Sequence, residues 1–304
     1  MIIPPIKSQG IKTKIVPTIN SLINAATIPF RGDWYEPFFG TGVVGFNTIV
    51  PGRKIVGDTN PHIIRFYNAV LAGDITEHNM RAYLEDANAR LSIADEDGYA
   101  YYREVKNRFN REHNPFDFIF LSRSGFNGMI RFNGKGEWNI PFCKKKDRFA
   151  PAYVTKICNQ VRKVREKIQG EQWEFNNVPF EDTIARACAG DLIYSDSPYF
   201  GRYADYYNAW TENDEERLCA MLTNSPARFI LSTWHHNQYR ENPLIHRLWE
   251  RFNIITQEHF YHGGGKIENR NAMTEALVFN FDIDIDILHQ GYHEEEEELL
   301  LFGD

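Results

Sequence analysis

Glu36-Pro37-Phe38-Phe39-Gly40-Thr41-Gly42-Val43-Val44-Gly45-Phe46 reads as the end of a strand, a tight glycine turn and the start of a helix. Glycines at positions 40 and 42 permit positive φ and a close approach of backbone to ligand that a Cβ would block. The same letters satisfy G-x-G-x-x-G, so a dinucleotide fold is the first alternative, and the pattern alone does not choose. Arg53-Lys54-Ile55-Val56-Gly57-Asp58-Thr59-Asn60 follows, a short strand closing on an acid. Its distance from the first glycine, about twenty residues, suits a carboxylate on the neighbouring strand that receives two ribose hydroxyls. Nucleoside binding is supported, and NAD is not excluded; a turn or capping acid is the plainer alternative for Asp58.

Working outward, a helix is expected over 14–29, with Ile15, Val16, Ile19, Leu22 and Ile23 apolar, and another from Pro61 through Leu71. Strands are expected near 33–37, 53–57, 173–175, 191–195, 228–232, 253–257 and 275–280. Alternation of strands and helices predicts an α/β fold: a mostly parallel sheet with helices on both faces. Residues 73–171 interrupt it with polar, helix-rich sequence. Within them Asn127-Gly128 and Asn133-Gly134 mark turns in a hairpin or ordered loop from Gly125 to Pro141. The expected division is 1–72 with 172–285, an inserted 73–171, and an acidic tail over 286–304.

A third stretch supplies chemistry. Asp191-Leu192-Ile193-Tyr194-Ser195 is an apolar strand, and it runs into Asp196-Ser197-Pro198-Tyr199-Phe200. An acid, a rigid proline and an aromatic ring at a strand end form a compact device for holding an exocyclic amine. The carboxylate and the carbonyl of the next residue each accept one amine N–H, proline fixes the backbone, and the ring stacks on the base.

Composition narrows the classes. The 304 residues are 42% hydrophobic, which supports an ordinary globular core of one large domain plus a smaller one. No apolar run approaches a membrane span, and the start of the chain lacks the form of a secretory signal. Cys143, Cys158, Cys188 and Cys219 are scattered, without metal-site spacing or disulfide density, so reduced thiols, a cytoplasmic location and no metal are expected. His235-His236 reads as a loop. The net charge of −7 opposes nucleic-acid binding at first sight. Asp282, Asp284, Asp286 and Glu294 to Glu298 contribute eight of the negatives, leaving a body close to neutral. Lys144-Lys145-Lys146 with Arg148 favours phosphate contact. Arg103, Lys106, Arg108 and Arg111 read equally well as a solvated helix face.

Together these residues resemble the Dam-type (D12 class, alpha group) DNA adenine-N6 methyltransferases. Glu36 to Gly42 is similar to that family's S-adenosylmethionine loop, and Asp196-Ser197-Pro198-Tyr199 to its DPPY motif, with Ser197 in place of the first proline. Pro5 to Lys12 is similar to its KWxGGK element, with Ser8 for tryptophan and Ile11 for the second glycine. Phe120-Leu121-Ser122-Arg123-Ser124-Gly125-Phe126-Asn127-Gly128-Met129-Ile130-Arg131-Phe132-Asn133 and Gly136-Glu137-Trp138-Asn139-Ile140-Pro141-Phe142 are close to its YLNRxGYNGLxRYN and GxFNVPFG stretches. The resemblance covers most of residues 5 to 285.

It implies a Rossmann-like methyltransferase sheet with an inserted helical and hairpin subdomain for target recognition. It further implies transfer of a methyl group from S-adenosylmethionine, leaving S-adenosylhomocysteine, to N6 of an adenine flipped out of duplex DNA. Asp196, Ser197, Pro198 and Tyr199 would be catalytic. Lys7, Gly10, Lys12, Glu36, Pro37, Phe38, Phe39, Gly40, Thr41, Gly42, Asp58, Phe180, Asp182 and Asp196 would hold the cofactor. Lys7, Arg123, Phe126, Asn127, Met129, Arg131, Asn139, Pro141, Lys144 and Lys145 would meet DNA: Phe126 between base pairs, Arg131 on guanine, Met129 and Pro141 on a thymine methyl. A GATC-like or GA-containing target follows, as does a cognate restriction endonuclease acting on the same site without a stable complex. For Phe126 and Met129, packing within the hairpin is the alternative. Cytosine N4 as the acceptor, RNA as the substrate, and a non-catalytic DNA-binding protein of the same fold are the rivals. An NAD-dependent dehydrogenase leaves Asp196 to Tyr199 and residues 120–142 unexplained.

Overall fold

The protein's structure, a computed structural model, describes residues 1–8, 10, 12–93, 98–201, 210–260 and 272–288. Gln9 and Ile11 of the N-terminal element and residues 289–304, most of the acidic tail, lie outside the described residues. The chain packs into two compact units. One comprises Met1–Ile11, Gly40–Phe46 and Asn60–Asn177; the other comprises Lys12–Phe39, Asn47–Thr59 and the chain from Val178 onward. The helical unit therefore takes in the N-terminus, the glycine loop, Asn60–Ala72 and Trp173–Asn176, beyond the 73–171 read from composition.

Seven strands occur among the described residues: β1 (Trp34–Glu36), β2 (Lys54–Gly57), β3 (Trp173–Asn176), β4 (Leu192–Ser195), β5 (Arg228–Asn237), β6 (Asn253–Phe260) and β7 (Ala272–Phe279). Within the second unit their order is β2-β1-β4-β5-β7-β6. The first four are parallel, with Trp34 opposite both Lys54 and Leu192, and Leu192 opposite Arg228. β7 runs antiparallel between β5 and β6, pairing Phe279 with Ile230 and with Asn253. The sheet is thus mixed: sequential strands such as β6 and β7 pair antiparallel directly, whereas parallel neighbours need a crossover.

β1, β2 and β4 are buried along their whole length, which is why they read as short apolar runs without alternation. Asp191 pins the start of β4 beside β1, accepting from the Asp33 amide at 2.7 Å and the Cys188 amide at 2.8 Å. On one side of the sheet, Tyr35, Ile55, Ile193, Phe229, Leu231 and Val278 pack with Phe180 and Ile184 of α7 (Phe180–Ile184) and with Leu218 and Leu222 of α8 (Glu212–Asn224). Thr211 and Asp214 close the N-terminus of α8 as a capping box.

α1 (Val16–Ala25) is shorter than expected from the 14–29 periodicity. Ala26 already bridges to Ile283, and the Thr27 amide donates to the Asp282 carbonyl at 3.0 Å, so the chain leaves the helix for extended pairing. The helix expected after the glycine turn is only a 3-10 turn, Gly45–Asn47. Thr48, Ile49 and Val50 are β-branched and Pro51 follows, a run that cannot carry a helix forward. The dinucleotide reading loses its main structural element there, because no helix N-terminus follows the glycines.

The first unit holds α2 (Pro61–Ala72), α3 (Glu77–Ile93), α4 (Tyr99–Glu112), α5 (Pro115–Ser124) and α6 (Pro151–Gly170). Asn60 and Asn114 cap α2 and α5 through side-chain oxygens that accept from the second helical amide, and Pro61 and Pro115 occupy the first position. α6 buries Val154, Ile157, Cys158, Val161, Val164 and Ile168 at spacings of three and four, one apolar stripe. Asp117 is buried but paired, accepting from Arg108 at 2.6 Å and from the Tyr83 hydroxyl at 2.5 Å.

Candidate active site

In the second unit, Glu36 closes β1, Asp58 follows β2 and Asp196 follows β4. These are adjacent parallel strands, so the three carboxylates stand at one edge of the sheet. β1 and β4 are also where the strand order reverses direction, the position at which open α/β sheets bind ligands.

Asp196 meets Lys12, whose Nζ stands 3.5 Å from its Oδ1. That ammonium also donates to Glu275 Oε1 at 2.8 Å and to the Tyr199 hydroxyl, and lies 4.4 Å from the centre of the Tyr199 ring. The Tyr199 hydroxyl in turn donates to Glu275 Oε1 at 2.6 Å. Two of the expected catalytic residues and one expected cofactor residue therefore meet around a buried glutamate of β7. The Asp196 side chain is 23% exposed, reachable from solvent yet ringed by protein. Burial pushes its pKa up to about 6; Lys12 opposes the shift and Glu275 adds to it. A carboxylate so placed ionises around pH 6, and in that form it can accept hydrogen bonds from an amine and take a proton from one that has become cationic. Ser197 is buried and Pro198 is exposed.

Below this group, the Tyr194 ring stacks on Trp34 at 5.7 Å, and the Trp34 indole donates to Glu36 at 3.1 Å. Lys54, fully buried, sets its ammonium 5.1 Å from the Trp34 ring and donates to the Thr48 carbonyl at 3.2 Å. Glu36 is consequently held from inside the unit.

Three aromatic rings form a second cluster in the same unit. Phe38 stacks on Phe180 at 5.4 Å, and Trp210 stands edge-on to Phe38 at 5.5 Å and tilted to Phe180 at 5.7 Å. The Trp210 indole donates to the buried Glu215 at 2.5 Å, and Glu215 also accepts from Trp249 at 3.0 Å. Burial raises the Glu215 pKa against those two hydrogen bonds. The Phe39 amide donates to the Gly57 carbonyl at 2.9 Å, tying the end of β1 to the end of β2. Asp182 lies exposed in the first turn of α7. This donor set fits a nucleoside cofactor: carboxylates for hydroxyls and an ammonium, flat apolar rings for a base.

In the first unit, Gly40 and Gly42 take φ of +51° and +80°, the left-handed region that L side chains avoid. Thr41 between them gives its carbonyl to the Tyr67 hydroxyl at 2.5 Å. Gly10 is exposed.

The same unit carries an irregular ribbon after α5. Gly125 bridges Phe142 and Phe132 bridges Trp138. Trp138, Ile140 and Phe142 point inward, while Asn139 and Pro141 face outward. The inward face is locked by Trp138 donating to the Tyr102 hydroxyl at 2.9 Å and that hydroxyl donating to the Ile140 carbonyl at 2.7 Å. Across the ribbon, the Phe126 amide donates to the Pro141 carbonyl and the Asn139 amide to the Arg131 carbonyl, both at 2.9 Å. Phe126 is 49% exposed, and Asn127, Lys144 and Lys145 are exposed with it; Met129 and Arg131 are half-buried. A Cβ on Gly128 would meet the Lys7 stem at 2.7 Å, so glycine lets that lysine lie across the ribbon's turn. Burial lowers the Lys7 pKa, and Arg148, Arg123 and Lys145 lower it further, which marks a local concentration of positive charge. Arg123 differs from the others. Its guanidinium donates to the Pro5 carbonyl at 2.6 Å and to Gln160, holding the N-terminal segment to α5 and α6.

Sequence reasoning did not single out Glu275, Lys54, Trp210 or Glu215. A charged residue inside the apolar strands around 275 and 54 was the available signal.

Among the described residues no group of three or more histidines, cysteines or acids is disposed to hold a metal ion, and no helix is long and apolar enough to cross a membrane.

The model of the family described as D12 class N6 adenine-specific DNA methyltransferase matches residues 8–262. The chain is similar to the Retron Ec67 DNA adenine methylase of Escherichia coli, 30% identical over 62% of this chain and 62% of that protein. It is similar to the DNA adenine methylase of Haemophilus influenzae, 32% identical over 54% of each. A Type II methyltransferase of Lactococcus lactis subsp. cremoris is 25% identical over 91% of this chain and 95% of its own length. The chain thus spans 62% and 54% of the length of the first two relatives.

Proposed function

We propose, from the premise that the chain belongs to the D12 class N6 adenine-specific DNA methyltransferases, that it methylates the N6 amine of adenine in duplex DNA. The observation that carries this reading is Asp196 at the end of β4, 3.5 Å from the Lys12 ammonium and followed by Ser197, Pro198 and Tyr199.

The amine of adenine is a poor nucleophile because its lone pair is delocalised into the ring. Ionised Asp196 and the Ser197 carbonyl accept its two N–H groups, draw the nitrogen towards tetrahedral geometry and aim the lone pair away from the ring. Positive charge growing on nitrogen is balanced by the carboxylate, which then takes the released proton. Pro198 fixes the angle between the two acceptors. Tyr199 supplies a flat face for the base, which must leave the helical stack to present its amine. S-adenosylmethionine, when bound, supplies an already activated methyl group. Asp58 would take its ribose hydroxyls, Glu36 its ammonium side, and Phe38, Phe180 and Trp210 its adenine, with Asp182 beside them. Gly10, Lys12, Pro37, Phe39, Gly40, Thr41 and Gly42 are proposed with them.

For DNA we propose the outward face of the ribbon. Phe126 wedges at a base step, Arg131 and Asn139 meet base edges, Met129 and Pro141 give apolar contact, and Lys7, Asn127, Lys144 and Lys145 meet phosphates or the first base. Arg123 serves this surface indirectly, by holding the segment that carries Lys7. A GATC-like target is proposed on the same residues. The Type II relative favours a place in a restriction-modification system beside a nuclease that acts on the same site.

The test is incubation of the protein with labelled S-adenosylmethionine and unmodified duplex DNA, followed by digestion to nucleosides, with Asp196→Ala as control. Label in N6-methyladenosine that is lost in the variant supports the proposal. Label in N4-methylcytosine overturns the substrate, and label in no base overturns the activity.

A further inference from the structure

We infer that Glu275 is a positioning residue for the reaction proposed above: from β7 it holds the Lys12 ammonium and the Tyr199 hydroxyl, and so sets how much of the Lys12 charge reaches Asp196. The inference rests on that proposed reaction.

Glu275 is 2% exposed and opens the apolar run Ala276-Leu277-Val278-Phe279. A carboxylate at so buried a position is costly unless it is paired. What it does bond is specific. One oxygen, Oε1, accepts from Lys12 at 2.8 Å and from the Tyr199 hydroxyl at 2.6 Å. Lys12 is nearer to Glu275 than to Asp196, which it meets at 3.5 Å. Two carboxylates therefore share one cation, and the shorter contact goes to the one that does not face the substrate.

This division bears on Asp196 and on Tyr199. Burial first raises the Asp196 pKa, and the nearby Glu275 charge adds to that rise, while the Lys12 ammonium that opposes it is partly committed to Glu275. Tyr199 is tethered at its hydroxyl end, which fixes the plane of the ring proposed to stack on the base. Among the described residues, the groups facing Asp196 are Lys12 from the N-terminal segment, Glu275 from β7 and Tyr194 from β4, with Tyr199 and Glu36 facing Tyr194. Of these only Lys12 is cationic, so changes at Lys12 and Glu275 move Asp196 in opposite directions. Neutral glutamine at 275 removes the second negative charge and releases Lys12 to close on Asp196. An uncharged residue at 12 removes the cation and leaves the two acids facing each other.

The test is the pH profile of kcat/KM for methylation of unmodified duplex DNA by the wild type, Glu275→Gln and Lys12→Met. The acid limb of Glu275→Gln should move down by roughly one pH unit and that of Lys12→Met up by a similar amount. Glu275→Gln should also lower kcat by roughly threefold, because an amide oxygen holds the Tyr199 hydroxyl less firmly than the carboxylate does. Limbs that stay at the wild-type position, or that move the same way in both variants, overturn the inference. A merely structural Glu275 would lower stability and leave the limb in place. If either variant fails to fold, the other decides, since each has its own predicted sign. A second readout needs no catalysis: the carbon-13 titration of the Asp196 carboxyl in the DNA-free protein should shift with the same signs. Shifts there in a wild type that methylates nothing would leave the charge-sharing intact and place the failure in the proposed reaction.

Discussion

The backbone amide of Phe126 donates to the carbonyl oxygen of Pro141 at 2.9 Å, and through this bond two outward-facing apolar residues lie side by side on one ribbon. The bond is backbone to backbone, so the surface persists when either side chain is cut back. Phe126→Ala should therefore leave thermal unfolding within about 2 °C of wild type, as expected for a half-exposed side chain away from the core. DNA affinity should fall at least roughly tenfold, because a stacked aromatic contributes about 1–3 kcal/mol. Cofactor affinity should not change. Unfolding by calorimetry and DNA binding by fluorescence anisotropy check the split; a large loss of stability with intact DNA binding would return Phe126 to a packing role.

Ionised Asp196 is the form that accepts amine hydrogens, and burial, opposed by Lys12 and aided by Glu275, lifts its pKa to about 6. Below that value the carboxyl is protonated and offers a donor where an acceptor is needed. Methylation should rise through pH 5 to 7 and level off by about pH 8, the acid limb of kcat/KM reporting the free enzyme. An ordinary surface aspartate would give no limb above pH 5. A rate constant flat across that whole range would remove Asp196 from the role assigned to it.

The same shift has a thermodynamic face. The folded state binds the Asp196 proton more tightly than the unfolded state, whose value is the ordinary 3.8, so folding stability falls as pH rises between about 4 and about 6. Above that window the ionised side chain is a net cost. Asp196→Asn should accordingly be more stable than wild type at pH 7.5, by on the order of 2 kcal/mol after allowance for its partial exposure, while losing methyl transfer. At pH 4 the two proteins should differ little. Chemical denaturation at both pH values measures this, and an Asp196→Asn protein that is less stable at pH 7.5 would contradict it.

What the sequence made legible followed short-range signals. The strand positions were readable because β1, β2 and β4 are short apolar runs ending at an acid. The ribbon was readable from Asn127-Gly128, and Asn127 indeed takes φ of +54° there. The α/β class and the family emerged in the same way. The antiparallel insertion of β7 between β5 and β6 was not readable, since the order of strands in a sheet leaves no local periodicity. Nor was the missing helix after Gly42, where β-branched residues and Pro51 override a glycine pattern shared with longer-helix folds. Arg123 is placed among the DNA-meeting residues only by the family resemblance; its long-range bonds to Pro5 and Gln160, which nothing local announces, hold the N-terminal segment. Lys12 and Glu275 are far apart in the chain, and nothing local to either announces the other.

Glu215 offers a last prediction, joining stability to cofactor binding. It is buried in α8 and accepts from two indoles, Trp210 at 2.5 Å and Trp249 at 3.0 Å. Trp249 is a fully buried core residue, whereas Trp210 is half-buried against Phe38 and Phe180. Glu215→Ala leaves both indole N–H groups without that acceptor and opens a void, which should cost about 2–4 kcal/mol of folding stability. Glu215→Gln keeps the shape and one acceptor oxygen and should cost less, about 1 kcal/mol. If Phe38, Phe180 and Trp210 receive the cofactor's adenine, both variants should also bind S-adenosylmethionine more weakly, Glu215→Ala more than Glu215→Gln, because a loosened Trp210 no longer presents a fixed edge. Titration calorimetry below the unfolding temperature separates the effects: weaker binding in a folded Glu215→Gln protein supports the adenine site, and unchanged affinity would make this aromatic cluster a purely internal brace.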